Sequence, residues 1–205
     1  MNQIDTVIFD LGNVLVASDG GRAMDRLAAR TGKTRQGVND YLSGTPYARD
    51  HCLGKLSKER FFATVSKDLG FDGPCEEFAL IWSDIFTPIE PMVALAESLK
   101  GRVRRLILSN TDPFHIDYEL KRFPFLNDFD GHVFSFEVGL LKPDPAIYQH
   151  TLTKYGLTAS RTVFLDDVAA YVEGARRVGI QTIHFQNPDQ ARIELAKLGV
   201  EGGSR

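Results

Sequence analysis

Four short apolar segments of this chain run directly into polar side chains, and that pattern limits the fold more than any other feature. The first is TVIFDLGNVLV, Thr6 to Val16, in which four strand-forming residues meet Asp10 and then Leu-Gly-Asn. Three more resemble it: RRLILSNTD (Arg104 to Asp112), RTVFLDDVAA (Arg161 to Ala170) and QTIHFQNP (Gln181 to Pro188). HVFSFE, His132 to Glu137, is a weaker fifth. Short apolar runs of this kind suit strands buried on both faces of a parallel sheet.

Helical patterns lie between them. Pro91 opens one with Val93, Leu95, Ala96 and Leu99 on its apolar side. Asp144-Pro145 reads as an N-cap followed by proline at the first helical position, ahead of Ile147, Tyr148 and Leu152. Val168 to Val178 reads as a helix stopped by Gly179, and Pro188 to Leu198 as one stopped by Gly199. The terminal Gly-Gly-Ser-Arg is expected to fray. Alternation of strand and helix from Pro91 onward implies an α/β fold, a doubly wound and mainly parallel sheet.

Residues 18–89 break the alternation, with no convincing strand. Met24, Leu27 and Ala28 recur at helical spacing, as do Phe61, Phe62, Val65 and Leu69 behind a cap at Ser57. A further helical stretch holds Phe78, Leu80, Ile81 and Ile85. The expected organisation is an α/β core of residues 1–17 and 88–205 with a helical insertion at 18–87. Ser18-Asp19-Gly20-Gly21 supplies a hinge.

A chain of 205 residues can bury this core without disulfides or structural metals. Its net charge of -3 is spread along the sequence, which argues against a nucleic-acid partner. Cys52 and Cys75 have no metal-binding spacing and read as packing thiols in a reducing compartment. There is no secretory pattern, and no apolar run approaches the roughly 18 residues that span a bilayer. A cytoplasmic protein without membrane contact is expected. The oligomeric state is not encoded legibly, and a monomer is the expectation.

In open parallel sheets, ligands bind beyond the carboxyl ends of the strands. Those ends carry Asp10, Ser109-Asn110 and Asp166-Asp167, while Lys142 sits in GLLKPDP between the later strands. Any one of these has an ordinary reading as a turn or helix entrance. Together, on one rim, they form a set with chemical purpose.

With these motifs, FDLGNV, LSNT, KPDPAIYQH and the Asp166-Asp167 pair with its downstream EGA, the chain resembles the haloacid dehalogenase-like (HAD) hydrolase superfamily over nearly its whole length. The wording is most similar to the small sugar-phosphate phosphatases of the glucose-1-phosphate phosphatase type. The resemblance implies a Rossmann-like sheet whose helical insertion is a C1-type cap, and an Mg²⁺-dependent phosphatase acting on small phosphorylated metabolites. It implies that Asp10 is a nucleophile forming an aspartyl-phosphate, with Ser109 and Lys142 holding the phosphoryl group and Asn110 contributing to substrate binding. It also implies an Mg²⁺ site made by Asp10, Asp167 and the Gly12 carbonyl, with Asp166 as a further ligand or one acting through water. Mg²⁺ prefers such hard oxygen donors and offsets repulsion between two anions.

Two positions depart from the family pattern. Gly12 stands where a second aspartate would protonate the leaving oxygen, a contribution of about 10²–10⁴-fold. His51, before a Gly-Lys-Leu-Ser turn similar to the family's cap loop, is expected to face the substrate and supply that proton. His115 is a weaker candidate. Tyr171 stands where relatives carry asparagine, and the sequence assigns it no role. Two other functions are compatible with the motifs: a 2-haloacid dehalogenase using the same aspartate without metal, and a non-catalytic relative that binds a phosphorylated ligand. The retained acidic pair favours phosphoryl chemistry over the first, and the intact nucleophile over the second.

Overall fold

The structure is a computed structural model that describes residues 3–201, so the terminal Gly-Gly-Ser-Arg lies outside the described residues. In chain order the elements are β1 (Thr6–Phe9), β2 (Val16–Ser18), α1 (Gly20–Thr31), α2 (Arg35–Gly44), α3 (Tyr47–Cys52), α4 (Lys58–Leu69), α5 (Cys75–Ser83), β3 (Phe86–Pro88), α6 (Glu90–Ser98), β4 (Arg104–Ser109) and α7 (Pro113–Arg122). After them come β5 (Gly131–Phe134), α8 (Ser135–Val138), α9 (Pro145–Tyr155), β6 (Thr162–Asp166), α10 (Ala169–Arg177), β7 (Gln181–His184) and α11 (Pro188–Lys197).

Five strands form one sheet in the order β5-β4-β1-β6-β7, with every pairing parallel. The first strand is therefore the central one. Its four residues are all buried, and alternate side chains enter different cores. Val7 and Phe9 pack with Met92, Ala96, Ile116 and Leu195, from α6, α7 and α11. Ile8 packs with Ile147, Tyr148 and Ala175, from α9 and α10. Helices thus cover both faces, as the continuous apolar runs imply. The weak HVFSFE signal is β5 only as far as Phe134, because Ser135 begins α8.

Helix ends follow local side-chain chemistry. Ser57 accepts a hydrogen bond from the Arg60 N–H at the start of α4, and Asp144 accepts one from Ala146 with Pro145 inside the first turn of α9. Asp19 caps α1 by accepting from Arg22, and its own N–H donates to the Ile85 carbonyl at 2.9 Å. The anticipated hinge is therefore a helix cap tied to the returning chain.

The absence of strand expected for residues 18–89 is corrected. Strands β2 and β3 pair antiparallel as Val16↔Pro88, Ala17↔Thr87 and Ser18↔Phe86. This ribbon carries the chain out to α1–α5 and back. Its strands are too short to give a periodic signal, and β3 ends in a proline. The inserted helices pack around their own aromatic cluster, including Phe61, Phe71, Phe78 and Trp82. No described helix is long and apolar enough to cross a membrane.

One core element joins that cluster. Phe114, in the first turn of α7, is buried among the aromatics of the insertion, with Phe78 at 6.0 Å between centroids. Around it, the Trp82 Nε1–H donates to Asp112 Oδ2 at 3.0 Å and the Tyr118 hydroxyl donates to Asp84 at 2.7 Å. Lys58 pairs with Asp117. On the other side, the Ser135 hydroxyl donates to the Cys52 carbonyl at 2.7 Å. Gly54 has φ +69 and lies so close to the Phe136 carbonyl that a side chain there would collide with it.

Phe114→Ala is expected to lower unfolding free energy by about 3–5 kcal/mol, the usual cost of truncating a buried phenylalanine. Chemical denaturation measures it. A loss below 1 kcal/mol by the same scale would mean that the ring does not join the two cores.

Candidate active site

Because the sheet is parallel, the ends of β1, β4 and β6 open on one rim. They deliver Asp10, Ser109 and Asp167 to a cavity of about 340 Å³, which Lys142 also lines, while Asp166 lies buried beneath it. Trp82 and Cys52 of the inserted helices close part of it. That volume suits a small metabolite.

Lys142 organises the floor. Its Nζ lies 2.8 Å from Asp10 Oδ1 and 2.6 Å from Asp166 Oδ2, and all three residues are buried. Asp10 Oδ1 also accepts from the Leu11 N–H at 2.7 Å. Among the described residues, both contacts of Asp10 thus fall on Oδ1. Burial pushes the Asp10 carboxyl up to about 7, against the pull of Lys142 and with help from the nearby Asp166 charge. Burial likewise raises Asp166, while Lys142 opposes it. For Lys142, burial favours the neutral amine, but the carboxylates of Asp10 and Asp166 outweigh it and hold the ammonium above its ordinary value.

Asn110 is engaged differently from the expectation that it binds substrate. Its side-chain N–H donates to the Lys142 carbonyl at 3.0 Å, and its Oδ1 accepts from the Lys142 N–H at 2.9 Å. Both polar ends hold the lysine backbone. Tyr171, which the sequence leaves without a role, places its ring 5.0 Å from Lys142 Nζ in a cation–π contact.

Asp10, Asp166 and Asp167 each offer an oxygen within 4.8 Å of the others. Three clustered carboxylates with one ammonium leave excess negative charge, which a divalent cation with a preference for hard oxygen donors would fit. Within that set Asp166 is the least available. Its Oδ2 holds Lys142, and its Oδ1 accepts from the Val168 N–H at 2.8 Å. Asp167 is half-buried and faces Asn13, whose Nδ2 lies 3.4 Å from Asp167 Oδ2. Asn13 has φ 57, a conformation that asparagine tolerates better than most residues, and its Oδ1 accepts from the Ser18 N–H at 3.2 Å. The asparagine thus fastens the loop after β1 both to the acid cluster and to the ribbon. Gly12 lines the cavity beside it, and a Cβ at this position would meet nothing within 4 Å.

The expectation that His51 faces the substrate is corrected. The residue is fully buried, does not line the cavity, and stacks on Phe61 at 4.3 Å between centroids. Its Nδ1 donates to the Leu56 carbonyl at 2.9 Å, and burial lowers its pKa despite the nearby Asp112. A flat ring of this size is absorbed by the aromatic cluster of the insertion. His115 does line the cavity, yet its Nε2 lies 3.2 Å from the Trp82 carbonyl and its Nδ1 3.2 Å from Asp112 Oδ2.

One cavity residue escaped the sequence reading. Glu119 follows His115 by four positions on α7, and the pair therefore shares one helix face. It is 1% exposed, lines the cavity, and its Oε1 has no hydrogen-bond partner among the described residues. Burial pushes the carboxyl up to about 9, with the charges of Asp112 and Asp10 adding to the effect. The available signal was a glutamate in register with the buried Ile116 rather than with the solvent face.

A family model described as haloacid dehalogenase-like hydrolase matches residues 4–179. The chain is similar to D-ribitol-5-phosphate phosphatase of Bacteroides thetaiotaomicron, with 26% identity covering 95% of this chain and 98% of that protein. It is 30% identical to acyl-CoA dehydrogenase family member 10 of Mus musculus over 94% of its own length, but spans only 19% of that protein. Among solved structures, a HAD family enzyme of Bacteroides thetaiotaomicron superposes with a TM-score of 0.82 at 21% identity, covering 90% of this chain and 95% of the other.

The buried acid has a consequence for stability. Glu119 keeps its proton in the fold up to about 9, whereas the free side chain ionises near 4.5. Between those values the folded chain holds a proton that the unfolded chain has released, so stability falls as pH rises through the window. Glu119→Gln is therefore expected to raise Tm relative to wild type by more at pH 8 than at pH 5. Thermal unfolding at both values checks this, and a difference independent of pH would contradict it.

Proposed function

The chain belongs to the haloacid dehalogenase-like hydrolase family, whose model matches residues 4–179, and from that premise we propose that it is a magnesium-dependent phosphatase of small phosphorylated metabolites, with sugar phosphates as the preferred class. The observation that carries the reading is the arrangement around Asp10: one oxygen is fixed by Lys142 and the Leu11 N–H, beside a group of carboxylates suited to a divalent cation. Full-length similarity to D-ribitol-5-phosphate phosphatase supports it, as does similarity to the phosphorylated carbohydrates phosphatase of Thermotoga maritima. The related HAD family enzyme of Bacteroides thetaiotaomicron has been crystallised with magnesium and inorganic phosphate.

In this reading, residues 18–87 act as a cap domain over a core made of 1–17 and 88–205. Asp10 attacks phosphorus through Oδ2 while Oδ1 stays held. The result is an aspartyl-phosphate, which water then hydrolyses. Ser109 donates to a phosphoryl oxygen, and the Lys142 ammonium offsets the charge there. Asp10, Asp167 and the Gly12 carbonyl would hold Mg²⁺, while Asp166 serves chiefly to fix Lys142. When bound, the cation neutralises charge so that a carboxylate and a phosphate dianion can meet. Cys52 and Cys75 are free thiols, which suits a reducing cytoplasm.

The test is a panel of sugar phosphates together with 2-chloropropionate, each assayed with Mg²⁺ and with EDTA. Phosphate release is expected with Mg²⁺ only, and Asp10→Asn is expected to lower it by more than about 10³-fold, as loss of a nucleophile does elsewhere. Chloride release in EDTA would replace the reading with a dehalogenase. Turnover of neither class would favour a ligand-binding relative.

A further inference from the structure

We propose that Glu119 is the acid that protonates the leaving oxygen, a role that rests on the phosphatase reading above. The argument is one of elimination among the carboxyl, imidazole and ammonium groups of the cavity. Asp112 is an acceptor with both oxygens occupied: Oδ1 takes the N–H groups of Phe114 and His115 at 2.9 and 3.0 Å, and Oδ2 takes the Trp82 Nε1–H at 3.0 Å. His115 is bracketed by the Trp82 carbonyl and Asp112, and its ring stacks on Trp82. Lys142 is pinned between Asp10 and Asp166. Asp167 stands in the acid cluster, with an oxygen within 4.8 Å of those of Asp10 and Asp166, and is assigned above to the cation. Glu119 alone combines a buried carboxyl, a place on the cavity wall and an oxygen without a partner among the described residues.

A buried polar oxygen left unpaired costs about 1–3 kcal/mol. A substrate oxygen that reached the carboxyl would remove that penalty. Burial also keeps the carboxyl protonated, the form that can donate. Gly12 contributes by omission. A Cβ there would meet nothing within 4 Å, which leaves room for the leaving group on the wall where the family places its usual acid.

The proton count closes over a turnover. As Asp10 Oδ2 bonds to phosphorus, the phosphorus–oxygen bond to the leaving group breaks, and its electron pair stays on the departing oxygen. That oxygen takes the Glu119 proton and leaves as an alcohol. Water then attacks phosphorus, the bond to Asp10 breaks, and the water proton passes to the Glu119 carboxylate. Inorganic phosphate departs with both acids restored to their starting states.

The test compares glycerol 3-phosphate, whose alkoxide must be protonated to leave, with p-nitrophenyl phosphate, whose phenolate leaves without a proton. Glu119→Gln keeps the volume and cannot transfer a proton. It is expected to lower the ratio of kcat/KM on the alkyl ester to that on the aryl ester by about 10²-fold or more, the scale of a positioned acid. Equal losses on both esters would make Glu119 a packing residue and overturn the proposal, as would no loss on either. If Glu119→Gln does not fold, Glu119→Met, of similar volume and without a transferable proton, takes its place in the same comparison. A wild-type chain inactive on both esters and on the sugar-phosphate panel fails the phosphatase reading first, and the role of Glu119 falls with it.

Discussion

Lys142 sets its ammonium group between two carboxylates in the interior of the protein, within 2.8 Å of Asp10 and 2.6 Å of Asp166. Taking one member from such a buried group costs about 3–5 kcal/mol, because the remaining charge has lost its partner. The sheet explains how the three meet. Strands β1 and β6 are neighbours in register, with Phe9 opposite Leu165, so the residues that follow end side by side. The lysine comes from the loop before α9, and the Asn110 side chain fixes that loop by bonding both backbone groups of Lys142. Four separate stretches of chain thus converge on one ion cluster, and of its two carboxylates Asp10 lines the cavity while Asp166 does not.

Helix α7 performs two tasks that are easily mistaken for one. Its first turn belongs to the insertion: Phe114 enters the aromatic cluster, and Asp112 receives the Trp82 indole. Its middle belongs to the cavity through His115 and Glu119. A shift of the inserted helices that pulled on the first turn would be felt by both side chains, since a helix moves as a unit. The docking bonds of Tyr118 and Lys58 lie along the same element and resist such a shift.

Much of this site is legible in the sequence, for a physical reason. Strands buried on both faces leave continuous apolar runs, and a polar residue at the end of such a run has no place but the rim. Asp10, Ser109 and Asp166 are read in that way, and the structure brings them together. The β2–β3 ribbon is illegible because three residues cannot establish a period. His51 misleads because its place before the Gly-Lys-Leu-Ser turn points to the substrate side, whereas its ring is absorbed by Phe61. Asn110 is placed correctly on the rim, but its side chain turns back to the lysine loop. Glu119 is hidden because burial of a glutamate depends on which helix face meets the cavity, and that is settled by tertiary packing.

Strand β1 precedes both of its partners in the chain by a long stretch. Its partners are Arg104–Ile107 on one side and Thr162–Leu165 on the other, so one edge waits for the middle of the chain and the other for its last quarter. The inserted helices, by contrast, contact mainly one another and close over short stretches of sequence. Non-local pairing is the slow part of folding, and local helix contacts are the fast part. During synthesis, which proceeds from the N-terminus, the segment bearing Asp10 waits with both its hydrogen-bonding edges open. Its apolar side chains, Val7, Ile8 and Phe9, lack their cover over the same interval, which exposes the segment to aggregation.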